Sequence, residues 1–173
     1  KWALEDSDQG PIYLGYRLGH IKNETRVFRA IVYNKGAAVL HMLRRLIGDQ
    51  AFFAGLKSFY GDNRFRKAGT DDLRKAMEAA SGENLGRFFE RWVYDSAIPR
   101  VRYSTAVDGQ DLVVSVEQLG DVFDLPITFG VTYTDGKTAE FVVVATSTTT
   151  EARFPLTGTV RTLSLIHISE PTR

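Results

Sequence analysis

An α+β fold is predicted for this chain, with all of its readable helices ahead of its strands. Three observations carry that prediction. Apolar residues recur at helical spacing between Val39 and Trp92, they alternate with polar ones in short runs from Arg100 onward, and Pro99 separates the two textures. Segregated rather than alternating elements argue for two units, residues 1–99 and 100–162, and against a parallel βαβ sheet.

The first 30 residues, with Gly10, Gly15 and Gly19, read as turns and one short helix. Val39, Leu40, Leu43, Leu46 and Ile47 then share one face of a helix that Gly48 can end. Asp49 is the expected cap of a second helix, along which Phe52, Phe53, Leu56, Phe59 and Tyr60 repeat the spacing. GDNRFRKAG, 61–69, reads as a loop. Thr70 is the expected N-cap of a third helix, with Asp71 and Asp72 in its first turn, where they suit the helix dipole, and Gly82 at its end. A fourth helix runs from Leu85 through Phe88, Phe89 and Trp92.

Five strands are expected beyond Pro99: VRYSTAV, LVVSVEQL, PITFGVTYT, TAEFVVVAT and EARFPLTG. Turn signals at Asp108-Gly109 and Asp135-Gly136 separate them, and their even spacing predicts a small antiparallel β-sandwich. TSTTT, 146–150, reads as a loop between strands.

Composition narrows the function classes. The 173 residues are 43% hydrophobic and 25% charged with a net charge of +1, which describes an ordinary globular protein and gives no pull toward nucleic acid. Cysteine is absent, which excludes a disulfide framework and a thiolate metal site. No apolar run approaches the roughly 18 residues of a membrane span. The N-terminus, KWALEDSDQGP, lacks a signal-peptide layout and does not begin with Met, so the chain reads as a fragment that starts further upstream. At the other end LSLIHISEPTR, 163–173, is similar to the one-frame translation of a transposase adapter used in sequencing libraries. It is read as an adapter-derived tail after a truncated sandwich, and is set aside together with His167.

Short motifs add little chemistry. His20 and His41 are far apart and neither belongs to an H-E-x-x-H pair, so both read as ordinary surface or core histidines. RFRK, 64–67, reads as a solvated loop rather than a nucleic-acid patch. Asn23-Glu24-Thr25 fits a glycosylation acceptor, a pattern frequent by chance, and GYRLG, 15–19, has the wrong glycine spacing for a dinucleotide site.

IVYNKGAAVLHML, 31–43, asks for more. Tyr33 and Lys35 precede Gly36, Ala37 and Ala38, where a helix should be starting. On one account Asn34 is the N-cap and Tyr33 a hydrophobic staple whose N4 partner, Ala38, is poor. On the other, small residues leave room for a close approach, and Tyr33 is a site residue.

V-Y-N-K-G-A-A-V-L-H-M-L-R-R-L-I-G-D, then A-F-F-A-G-L, F-R-K-A-G-T-D-D-L and L-G-R-F-F-E-R-W-V-Y, resemble in order and spacing the C-terminal half of the catalytic domain of M1-family zinc aminopeptidases. V-E-Q-L-G-D-V-F-D-L-P-I resembles the small β-sandwich domain that follows it. The resemblance implies the helical half of a thermolysin-like metallopeptidase fold and removal of N-terminal residues from peptide substrates. It also implies a zinc that activates water and polarises the scissile carbonyl. That zinc would be held by H-E-x-x-H and a downstream Glu, none of which is in these residues. The family's Y-x-K-G tyrosine falls on Tyr33, where it implies a hydrogen bond to the oxyanion of the tetrahedral intermediate, aided by the positive end of the helix expected to begin there. Asn34 departs from the common Y-E-K-G, and Lys35 and Gly36 read as structural. A non-catalytic M1-like scaffold or interaction protein is the alternative.

Overall fold

The structure, a computed structural model, describes residues 10–13 and 25–166. The chain divides into two compact units, Lys1–Ile98 and Pro99–Arg173. Most of the first 30 residues lie outside the described part.

In the first unit α1 (Thr25–Phe28), a π-helical segment (Arg29–Lys35) and α2 (Gly36–Ile47) follow one another without a break. Then come α3 (Asp49–Asp62), α4 (Thr70–Ser81), α5 (Gly86–Phe89) and a second π segment (Glu90–Tyr94). The expected caps move by one residue. Gly48, at φ 82°, precedes α3, while Asp49 lies inside the first turn and its carboxylate takes two hydrogen bonds from Arg44, at 2.8 and 2.6 Å. Gly69 likewise precedes α4, and the Asp72 carboxylate accepts from its N–H at 2.8 Å, so Thr70 is the first helical residue rather than the cap. Gly82 closes α4 in the left-handed conformation, φ 74°, as its position in the sequence suggests. Two residues of the expected 61–69 loop, Gly61 and Asp62, belong to α3.

Ile31, Leu43, Met77, Leu85 and Phe88 are almost wholly buried in this unit, with Phe89, Trp92 and Val93 beside them. Gly55 lets α3 approach α4 closely. A methyl group there would lie 2.7 Å from the Met77 sulfur, 3.2 Å from the Met77 Cα and 3.3 Å from the Ala76 carbonyl. The sulfur can swing away, but the backbone atoms cannot. Gly55→Val is therefore expected to destabilise the unit by about 2–3 kcal/mol, the typical cost of overpacking. Gly55→Ala should cost less, because the gain of about 1 kcal/mol in helix propensity opposes its clash. Urea unfolding followed by helical circular dichroism checks the order, and a Val variant as stable as wild type would show that the helices part freely.

The second unit is a sandwich of two three-stranded antiparallel sheets, in the orders β1-β2-β5 and β4-β3-β6. Its strands are β1 (Val101–Asp108), β2 (Asp111–Gln118), β3 (Leu125–Tyr133), β4 (Thr138–Ala145), β5 (Thr149–Pro155) and β6 (Val160–Ile166). Leu112, Val114 and Val116 from one sheet meet Phe129, Val131, Tyr133, Val143 and Ala145 from the other. Both turn signals hold, with Gly109 at φ 62° and Gly136 at φ 86°. Thr149 and Thr150, expected in a loop, begin β5, as β-branched residues readily do. β6 is a sixth strand beyond the five named, and in it Leu163, Ser164 and Leu165 continue the strand pattern of GTVRT, 158–162. Its Leu163 and Leu165 stand opposite Val131 and Phe129 of β3, so four residues of the segment read as an adapter tail complete a sheet edge.

Candidate active site

Tyr33 does not precede a helix. Phe28, Lys35 and Gly36 all have right-handed helical backbone, and the Gly36 N–H reaches the Ile31 carbonyl five residues back, the signature of a π turn. Asn34 is thus no N-cap, and Tyr33 is neither a staple nor beside the positive end of a helix. The residues explain why the ladder yields here. Ile31 and Val32 are β-branched and Gly36 is a weak helix former, so the α register is least favoured across this stretch. The small residues do not mark a close approach: a methyl group on Gly36 would meet the Ile31 carbonyl at 4.0 Å, an ordinary contact.

The Tyr33 side chain is 64% exposed. Its ring stands edge-on to Phe28, five residues earlier, with centroids 6.0 Å apart and planes at 66°. The phenol is therefore presented outward from a helical support, braced on one side.

Lys35, two residues on, faces the other way and is 4% exposed. Among its contacts are the carbonyls of Gly10 and Asp95, each 3.4 Å from Nζ. Asp95 ends the second π segment. Its carboxyl is held below the ordinary aspartate range first by the Ala97 N–H, then by the Ser96 N–H and Arg91, against the opposing effect of burial. Close by, the Tyr13 N–H donates to the Val93 carbonyl at 2.9 Å, and the Tyr13 and Tyr94 rings lie 5.1 Å apart.

The remaining sequence candidates stay apart from Tyr33. His41 is half-buried on α2, with its pKa pushed below 6.5 by burial and then by the charges of Arg45 and Arg44, while Asp49 pulls the other way. His20, His167, GYRLG and the first two residues of Asn23-Glu24-Thr25 lie outside the described residues. Arg64, Phe65, Arg66 and Lys67 are all exposed, as a solvated loop requires. A shallow cavity of about 240 Å³ lies beside that loop, lined by Phe59, Tyr60, Asn63, Arg64, Phe65 and Ala68, and does not include Tyr33. Among the described residues no three of His, Cys, Asp or Glu gather so as to hold a metal ion, so the zinc that the resemblance implies does not fit this set of donors. No helix among them is long and apolar enough to cross a membrane.

The fold is similar to that of a solved structure. The crystal structure of Legionella pneumophila aminopeptidase A in complex with aspartic acid superposes with a TM-score of 0.66, at 19% identity, over 82% of this chain and 17% of that one. Sequence similarity is higher. Aminopeptidase N of Lactococcus lactis subsp. lactis is 37% identical over 89 residues, 51% of this chain and 10% of that protein. Aminopeptidase N of Haemophilus influenzae is 32% identical over 101 residues, 58% of this chain and 12% of that protein. The family model described as Peptidase family M1 domain matches residues 4–92. The chain belongs to peptidase family M1. It spans about a tenth of the length of the curated relatives it matches.

Proposed function

We propose that this chain is a segment of a zinc-dependent aminopeptidase that hydrolyses N-terminal residues from peptides, in which Tyr33 stabilises the oxyanion of the tetrahedral intermediate. The observation that carries the reading is an outward-facing phenol on a π turn, within the stretch matched to the peptidase family model. π turns are rare, cost energy relative to α geometry and are frequent at functional sites. When water adds to the scissile carbonyl, negative charge builds on its oxygen. A phenol O–H donates to that oxygen, more strongly as the charge develops. Bracing against Phe28 limits the ring orientations that must be given up on reaching the transition state.

Zinc and the water it activates would be held by residues outside this chain, because the H-E-x-x-H pair the resemblance calls for does not occur in its sequence. The 173-residue chain alone is therefore expected to neither retain zinc nor turn over peptides. Elemental analysis after dialysis against a weak chelator, together with assays on aminoacyl-arylamides, tests this beside the full-length protein. One zinc per chain in the isolated segment would overturn the assignment of ligands. A full-length protein that lacks both zinc and arylamide hydrolysis would establish the scaffold reading instead.

A further inference from the structure

We propose that Lys35 is a positioning residue for Tyr33, its buried ammonium setting the π register of the turn that presents the phenol. The inference rests on the oxyanion reading of Tyr33 for its catalytic consequence, though not for its structural one.

The segment Arg29–Lys35 holds one residue more per turn than the α-helix wants, and relaxing to α geometry would rotate the side chains on one side of it by about 100° relative to the other. Tyr33 would then point elsewhere. Something must therefore fix the register, and Gly36, a weak helix former, does not. Lys35 is the last residue of the segment, and a charged side chain is kept at 4% exposure only where its donors find acceptors. Two of its acceptors come from separate stretches, Gly10 in the Gly10–Tyr13 stretch and Asp95 just past the second π segment. Main-chain oxygens at the end of a helical run lack intrahelical partners, and a cation there is favourable. The Gly10–Tyr13 stretch is in turn tied to Val93 by the Tyr13 N–H, so the ammonium reaches two points that are already fastened together. A slip of the turn would pull Lys35 off both.

Hydrogen exchange on the 173-residue chain tests the structural claim without activity. In Lys35→Met, the amides of residues 30–36 should exchange about tenfold faster or more, the effect of losing charge-assisted hydrogen bonds, while α3 and α4 keep their protection. Lys35→Arg should preserve much of the protection. Unchanged exchange at 30–36, or equal acceleration throughout α3 and α4, would overturn the proposal. Should Lys35→Met not fold, Lys35→Gln, which retains a donor, is read by the same criteria. Failure of both to fold would count against a local role and so overturn it too.

Kinetics of the full-length enzyme test the catalytic consequence. Lys35→Met should lower kcat by about tenfold with KM nearly constant, and should cost little more once Tyr33 is already Phe, because residues acting as one unit are non-additive. Independent, multiplying losses would overturn the coupling to Tyr33. If Tyr33→Phe alone has no effect, the oxyanion reading fails, and hydrogen exchange still decides whether Lys35 sets the turn.

Discussion

On the oxyanion role proposed for Tyr33, Tyr33→Phe in the full-length protein is expected to lower kcat on the order of 10² to 10³-fold, about 3–4 kcal/mol of transition-state stabilisation, as removal of an oxyanion donor does elsewhere. KM should change much less, because the hydrogen bond strengthens only as charge develops on the reacting oxygen. The substitution removes one hydroxyl from a ring that is 64% exposed, so no buried group is left unpaired and folding should be nearly unaffected. The edge-on contact with Phe28 survives, since it needs only the ring. Steady-state kinetics on an aminoacyl-arylamide series check the split, with metal content and melting temperature as controls. A Phe variant with wild-type kcat would make Tyr33 a surface aromatic on a helix and nothing more.

Most of the helical unit could be read from its apolar stripes, and the one serious misreading has a clear cause. Ile31, Lys35, Ala38, Val39, Met42 and Leu43 are all buried, a stripe that runs back through the π segment without interruption. A helix start at Asn34 was expected because Asn suits an N-cap, and Lys35, being charged, gives no hint that the stripe continues through it. Polar residues are normally counted on the solvent side, and this one is inside because acceptors 25 and 60 residues away in sequence receive it. Local pattern contains no signal for partners that distant. The misplaced caps share a simpler cause. Gly48 and Gly69 hold the position just before each helix, and the residues expected as caps, Asp49 and Thr70, fall one step inside the first turn. In the sandwich, alternation identifies β2 cleanly, with every second residue buried. It says nothing of how open β1 stays. Val101, Tyr103 and Val107 of β1 stand opposite the buried Gln118, Val116 and Leu112, yet each is more than a third exposed.

Gln118→Leu is expected to destabilise the sandwich by about 3 kcal/mol, since a buried donor or acceptor left unpaired costs about 1–3 kcal/mol and more than one is stranded here. Gln118 ends β2, is 2% exposed, and its amide joins three parts of the unit. Nε2 donates to the carbonyls of Phe123, Ala145 and Ser147 at 2.9, 3.2 and 3.3 Å, and Oε1 accepts from the Phe123 N–H at 3.0 Å. The loop after β2 is thereby fastened to its own strand and to the end of β4, with Phe123 buried beneath it. Leucine fills much of the same volume and satisfies none of these groups. For a unit of this size, total stability is on the order of 4–11 kcal/mol, so the loss is a large share of it. Gln118→Glu separates hydrogen bonding from volume. A carboxylate keeps the acceptor for Phe123 but faces three carbonyl oxygens, so the acid form is favoured and the Glu variant should be less stable at neutral pH than near pH 4 relative to wild type. Denaturant unfolding at both pH values decides it. A Leu variant within about 1 kcal/mol of wild type would mean that water replaces the amide in the loop, as it can where a polar site is roomy enough.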